Sequence, residues 1–194
     1  MLLPLPGEKV QLRMAPKGIR NFPPNKNMPN PAAVLILLFP VIDEPYTVLM
    51  KRTEYQGAHS GQISLPGGKI EAIDVDLAQT ALRETKEELG ILSEKINIIG
   101  KLTPLFIPVS GFDVHPYVGV ITEKPDWNPD LNEVSYLIET SISELASAAV
   151  IKSEMRQLFG NELEVPFYHL HNEKIWGATA MMISEFLQIV GSIK

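Results

Sequence analysis

Ala33-Val34-Leu35-Ile36-Leu37-Leu38-Phe39 is an unbroken apolar run preceded by Pro31 and closed by Pro40. A run this short, continuously apolar and proline-bounded reads as a buried β-strand. Tyr46 to Lys51 reads as its neighbour, with Asp43-Glu44-Pro45 making the turn. From Asp76 the period changes: Ala78, Ala81, Leu82, Thr85 and Leu89 recur at spacings of three and four, which predicts a helix over 77–89. Asp76 followed three residues later by Gln79 has the form of a capping box, and Gly90 stands where a left-handed C-terminal residue is needed.

Further along, 95–100, 114–122 and 134–138 read as strands, and 141–149 as a second helix capped by Ser141 or Ser143. Glu164 to Leu170 and Glu173 to Trp176 read as a hairpin turning at His171-Asn172, followed by a final helix over 178–190. Strands interleaved with helices, without an internal repeat, give an α/β (α+β) class. Seven of the sixteen prolines fall in the first 31 residues. Residues 1–30 therefore read as a proline-rich N-terminal arm and 31–194 as one domain.

The length of 194 residues, with 45% hydrophobic and 21% charged, suits one domain with one ordinary core. Seventeen basic against 23 acidic residues give a net charge of −6, which argues against a general nucleic-acid or acidic-membrane binder while allowing a local basic patch. An anionic substrate would need help to bind. The absence of cysteine excludes disulfides, thiolate zinc sites and cysteine nucleophiles. Met1-Leu2-Leu3 is broken at once by Pro4 and Pro6, unlike a signal peptide, and the longest apolar run is far short of the ~20 residues of a spanning helix. The expectation is a soluble, cytoplasmic protein.

The face of the 77–89 helix opposite its apolar stripe carries Arg83, Glu84, Glu87 and Glu88. At spacings of three and four the carboxylates share one stripe and repel, with Arg83 as local compensation. A solvated acidic face is one reading. The other follows from the preceding Gly61-Gln62-Ile63-Ser64-Leu65-Pro66-Gly67-Gly68-Lys69, whose glycines let backbone come close to a ligand. Carboxylates clustered without His or Cys select a hard cation, Mg²⁺ or Mn²⁺, completed by water and substrate phosphates.

Gly68, Asp74 and Arg83-Glu84-Thr85-Lys86-Glu87-Glu88-Leu89-Gly90-Ile91 resemble the Nudix box. Asp74 stands where the general box has Glu, Thr85 at a usually aliphatic position, and one extra residue separates Asp74 from Arg83. Asp and the extra residue are habits of the coenzyme A pyrophosphatase subgroup. Val48-Leu49-Met50-Lys51-Arg52-Thr53 followed by His59-Ser60-Gly61-Gln62-Ile63-Ser64-Leu65-Pro66-Gly67-Gly68 resembles that subgroup's upstream signature, with Gly57 where the family often has Arg. Ser110-Gly111-Phe112-Asp113-Val114-His115-Pro116, Asn128-Pro129-Asp130 with Glu133-Val134, and Ile175-Trp176-Gly177-Ala178-Thr179 extend the likeness over roughly 30–190.

The resemblance implies an α/β/α sandwich with a mixed sheet, and hydrolysis of the diphosphate of coenzyme A or its derivatives to 3′,5′-ADP and 4′-phosphopantetheine or its acyl form. ADP-ribose or another nucleoside diphosphate derivative is the alternative substrate, and a nucleotide-sensing domain without catalysis the alternative class. It implies Glu84, Glu87, Glu88 and the Gly68 carbonyl as holders of Mg²⁺ or Mn²⁺, and Arg83 as the residue orienting the carboxylates. The general base falls to Glu87 or Glu88, or to Glu133 in a later loop. Arg52, His59, Gln62 and Gly67 are the substrate-binding candidates, against ordinary strand-end and loop roles. His115 reads as structural and Trp176 as core packing. The implied partner is a small-molecule diphosphate, with no nucleic acid or membrane, and a homodimer is left open.

Overall fold

The structure is a computed structural model that describes residues 4–18, 29–54, 61–158 and 160–192. Among them run α1 (Glu8–Gln11), continued by a 3-10 turn at Leu12–Met14, β1 (Asn30–Val41), β2 (Glu44–Arg52), β3 (Ile63–Ser64), β4 (Gly67–Lys69) and α2 (Leu77–Leu89). There follow β5 (Asn97–Lys101), β6 (Leu105–Ile107), β7 (Phe112–Val120), β8 (Val134–Ser141) and α3 (Ile142–Leu145). The chain then forms β9 (Ile151–Leu158), β10 (Asn161–Leu170), β11 (Glu173–Trp176) and α4 (Gly177–Ser192).

The apolar run in β1 is continuous because both faces of the strand are covered. Ala33, Leu35, Leu37 and Phe39 pack with Ala81 and Leu89 of α2. Ala32 and Ile36 pack on the other side with Ala180, Met182, Ile183 and Phe186 of α4. β1 pairs antiparallel with β2 and parallel with β7, so the main sheet is mixed, and α2 lies in the crossover that parallel pairing requires. β3 pairs with β2 while β4 pairs with β1, so this short segment wedges between the two long strands beneath α2. β9, β10 and β11 form a separate antiparallel sheet on the α4 side. The result is the expected α/β/α sandwich with a mixed sheet. No helix among the described residues is long and apolar enough to cross a membrane.

Several local expectations change. The first hairpin turns at Ile42-Asp43, with Glu44 and Pro45 already in β2, opposite Val41 and Pro40. The helix expected over 141–149 is a single α turn, with Ser141 as cap, followed by a 3-10 turn at Ala148–Val150. Ser147 diverts the backbone by accepting from the Ala149 N–H. β9 was hidden because polar residues occupy both of its faces.

Within the region read as an N-terminal arm, residues 8–14 are bound into the domain. Val10 and Met14 are buried, and the hidden carboxyl of Glu185 on α4 accepts from Gly7 N–H (3.0 Å), Gln11 Nε2 (2.8 Å), Thr103 N–H (3.2 Å) and Thr103 Oγ1 (2.7 Å). That explains the acidic residue in the otherwise apolar face of the last helix.

Candidate active site

The β3–β4 wedge carries Leu65-Pro66-Gly67-Gly68 directly under α2. Gly67 has φ 149°, and a Cβ there would overlap the backbone of Ala33 and Val34. A Cβ on Gly68 would overlap the Glu84 carboxyl. The two glycines thus let the acidic face of α2 sit on the sheet. The helix keeps its position by the caps read from the sequence: Asp76 accepts from the Gln79 N–H at 2.8 Å, and Gly90 is left-handed at φ 75°. The Gln79 side chain accepts from Val75, one residue before the cap. Thr85 stands at a fully buried position because its hydroxyl donates back to Ala81 O at 2.7 Å.

Glu88 is 1% exposed. Its Oε2 accepts from Gly67 N–H at 2.8 Å and its Oε1 from Arg52 Nη1 at 3.1 Å. Burial pushes its carboxyl up to about 8 despite Arg52 and the Gly67 amide, and the charges of Glu84 and Glu133 push the same way. Burial likewise raises Glu84, against the pull of Arg83.

Arg83 is the organiser of the cluster. Nε and Nη2 grip both oxygens of Asp74 at 3.0 Å each, Nη2 also donates to Lys69 O at 2.9 Å, and Nη1 donates to Glu84 at 3.0 Å and Glu87 at 2.8 Å. The Arg83 hydrogen bonds hold the Asp74 carboxyl down at about 2, helped by the Glu71 N–H and the Thr80 hydroxyl.

The loop before β8 closes the other end. Asn128 N–H donates to Leu89 O at 3.1 Å and Asp130 N–H to Glu88 O at 3.2 Å, and Gly90 leaves room for Asn128, whose carbonyl would lie 2.6 Å from a Cβ there. Glu133 follows, exposed, with its backbone carbonyl accepting from Thr53 N–H at 2.9 Å. Its charge is felt at Glu84 and Glu88.

The structure therefore brings together Arg52, Gly67, Gly68, Arg83, Glu84, Glu87, Glu88 and Glu133. His59 and Gly57 lie outside the described residues. Gln62 joins the cluster through its backbone, its carbonyl accepting from Arg52 N–H at 3.0 Å. Lys51 projects to the opposite face of the sheet, where it pairs with Glu173 at 3.0 Å. Trp176 is half-buried with the Arg156 guanidinium 4.4 Å from its ring centroid, so it is not the core residue expected. His115 contacts Asp113 at 3.2 Å.

Asp74 proves both turn-former and clamp. Thr80, fully buried, donates to Asp74 at 2.9 Å and to Asp76 O at 3.3 Å, which ties the turn to the helix. Among the described residues no three acidic or histidine side chains already converge on one point. The donor set nevertheless fits a hard divalent cation: oxygen ligands only, with Glu84 and Glu88 made reluctant to ionise by burial first and by neighbouring carboxylates after it.

Comparison with known proteins agrees with this geometry. The NUDIX domain profile matches residues 29–156. The Nudix hydrolase NudL of Yersinia pestis (strain Pestoides F) is 35% identical over 161 residues, spanning 82% of this chain and 79% of its own. NudL of Yersinia pseudotuberculosis (serotype O:3, strain YPIII) gives the same figures. Among solved structures, the Nudix hydrolase RenU of M. smegmatis superposes with a TM-score of 0.60 at 15% identity, over 85% of this chain and 88% of that one. The MutT protein of Methanosarcina mazei Go1 gives 0.55 at 15% identity, over 87% and 99%. The chain therefore belongs to the Nudix hydrolases, enzymes acting on diphosphates.

Proposed function

We propose that this Nudix hydrolase cleaves the diphosphate of coenzyme A or its derivatives. The observation that carries the reading is the physical union of two motifs. The upstream stretches resembling the coenzyme A pyrophosphatase signature include the end of β2 and the wedge, and they contribute Arg52 and Gly67 directly to Glu88. Nudix hydrolases generally use divalent metal ions. Here Glu84, Glu87, Glu88 and the Gly68 carbonyl would hold Mg²⁺ or Mn²⁺. When bound, the cation supplies Lewis-acid polarisation of the phosphorus and lowers the pKa of the attacking water.

The chain's own residues do the rest. Arg83 fixes Glu84 and Glu87 in rotamers that face the substrate, with Asp74 holding Arg83 in turn. Arg52 fixes Glu88 and presents its remaining N–H groups to a phosphate oxygen. Water adds to one phosphorus of the diphosphate, the bridging P–O bond breaks, and one proton is released. Glu133 receives that proton at its carboxylate: it is exposed beside the cluster, whereas both oxygens of Glu88 are engaged. Glu87, exposed but tied to Arg83, is the second candidate. The products are 3′,5′-ADP and 4′-phosphopantetheine, or the acyl form. No covalent intermediate with the enzyme is required.

The test is a product panel with Mg²⁺ or Mn²⁺, comparing coenzyme A, an acyl derivative, ADP-ribose and a dinucleotide. The reading expects coenzyme A or its thioester to have the highest kcat/KM. Much faster cleavage of ADP-ribose removes the substrate assignment while leaving the enzyme class intact.

A further inference from the structure

On the face of the main sheet away from α2, a polar cavity of about 430 Å³ opens beside the end of β2. Its lining includes Lys51, Gln62, Arg156, Glu173, Lys174 and Trp176. The Arg156 guanidinium lies over the Trp176 indole and donates through Nε to Glu154 at 2.6 Å. Lys174 bonds the same carboxylate and stands 5.3 Å from the centre of the Phe167 ring. Lys51 donates to Glu173, which also accepts from the Tyr136 hydroxyl. Three cations thus gather with the carboxylates of Glu154 and Glu173, and the Glu54 carboxyl stands beside Gly61 on the cavity wall.

The arrangement is built for an oxyanion. A guanidinium packed 4.4 Å from an indole centroid and bonded through Nε is restrained, and the fork of a guanidinium matches a phosphate. Among the described residues its hydrogen bond is made by Nε. The cavity also joins the acidic cluster through one stretch of backbone. Lys51 and Arg52 are consecutive on β2 and point to opposite faces, one into the cavity and the other to Glu88. Gln62, on the cavity wall, accepts from Arg52 N–H.

We propose that this cavity is the subsite for a ribose phosphate monoester of the nucleotide substrate, held by Arg156, Lys174 and Lys51. The proposal rests on the coenzyme A reading, in which that group is the 3′-phosphate, and a 2′-phosphate would present the same chemistry.

The first measurement compares kcat/KM for coenzyme A and 3′-dephospho-coenzyme A. The wild type should prefer coenzyme A by about tenfold or more, carried by KM. Lys174→Ala and Arg156→Ala should bring the ratio toward one, and Lys174→Arg should keep it. Glu154→Gln should move KM for coenzyme A the other way, downward, because it frees two cations. A merely structural role for this cluster would instead make all of these variants behave alike. A wild-type ratio near one overturns the proposal.

Should neither compound be cleaved, the function reading fails, and the subsite is judged by calorimetric binding of 3′,5′-ADP, 2′,5′-ADP and 5′-AMP. Tighter binding of either bisphosphate, lost in Lys174→Ala, supports it and identifies the phosphate position. Equal binding of all three overturns it.

Discussion

Two helical glutamates are almost equally hidden in this protein and serve opposite ends. Glu88 on α2 is 1% exposed and Glu185 on α4 is fully buried. Glu185 receives four hydrogen bonds from neutral donors of three residues on two segments, two on each oxygen. Glu88 receives one backbone N–H and one arginine, and it shares its surroundings with Glu84 and Glu133, which oppose its ionisation. A buried carboxyl costs several kcal/mol unless its lone pairs are met. The Glu185 site meets that cost within the fold and ties the N-terminal segment to the last helix. The Glu88 site meets that cost only in part, which suits the cation-binding role proposed for it.

The difference is broken most sharply at Glu88. Replacing it by glutamine should lower turnover about a thousandfold, roughly 4 kcal/mol of barrier, while the protein keeps its fold. Thermal unfolding carries the second half of the test. Mg²⁺ or Mn²⁺ should raise the wild-type Tm through linkage and have much less effect on Glu88→Gln. A variant that retains wild-type activity would remove Glu88 from the metal site.

Glu185→Ala should do the reverse. It leaves the Gly7 amide, the Gln11 amide group and two donors of Thr103 without their acceptor, a cost of about 3 kcal/mol. The loss should be visible in denaturant unfolding and in faster proteolytic cutting near residues 4–18, where α1 is released. kcat per folded molecule should change little, because the residue lies on the α4 side of the sheet. If turnover fell as far as in Glu88→Gln, the division between the two glutamates would be lost.

The same contrast shows why the sequence revealed one region better than the other. α2 was legible to within a residue at both ends because its signals are local: an Asp76 cap, a Gly90 stop and an apolar stripe between them. The cluster was legible for the same reason, since Arg83, Glu84, Glu87 and Glu88 lie within two turns of one helix. What joins it to Arg52, Gly67 and Glu133 is tertiary, and there only the resemblance to a known pattern pointed the way. The buried role of residues 8–14 was not legible. It depends on Thr103 and Glu185, both far away in the chain, and seven early prolines made that stretch look detached. β9 was missed because it exposes Ile151 and Met155 and half-buries Glu154 and Arg156, an alternation without the usual hydrophobic sense.

The smallest expected effect lies between the two glutamates, at the clamp that keeps the α2 carboxylates in order. Asp74 is held at about 2, below its ordinary value of 3.8, chiefly by its hydrogen bonds from Arg83. A carboxyl depressed in the folded state adds stability that is complete above the unfolded-state pKa. That stability drains away as pH falls from about 4 through about 2. The side chain is 3% exposed, but its partner Arg83 borders solvent, so the contribution is about 1–2 kcal/mol. Asp74→Asn should therefore lower stability by that amount at pH 7 and flatten the part of the acid-unfolding profile between about pH 4 and pH 2. It should also loosen Glu84 and Glu87 through Arg83, giving a modest fall in kcat. If the stability difference between wild type and variant is the same at pH 7 and pH 2, the ion pair is not its source, and the clamp acts only by shape.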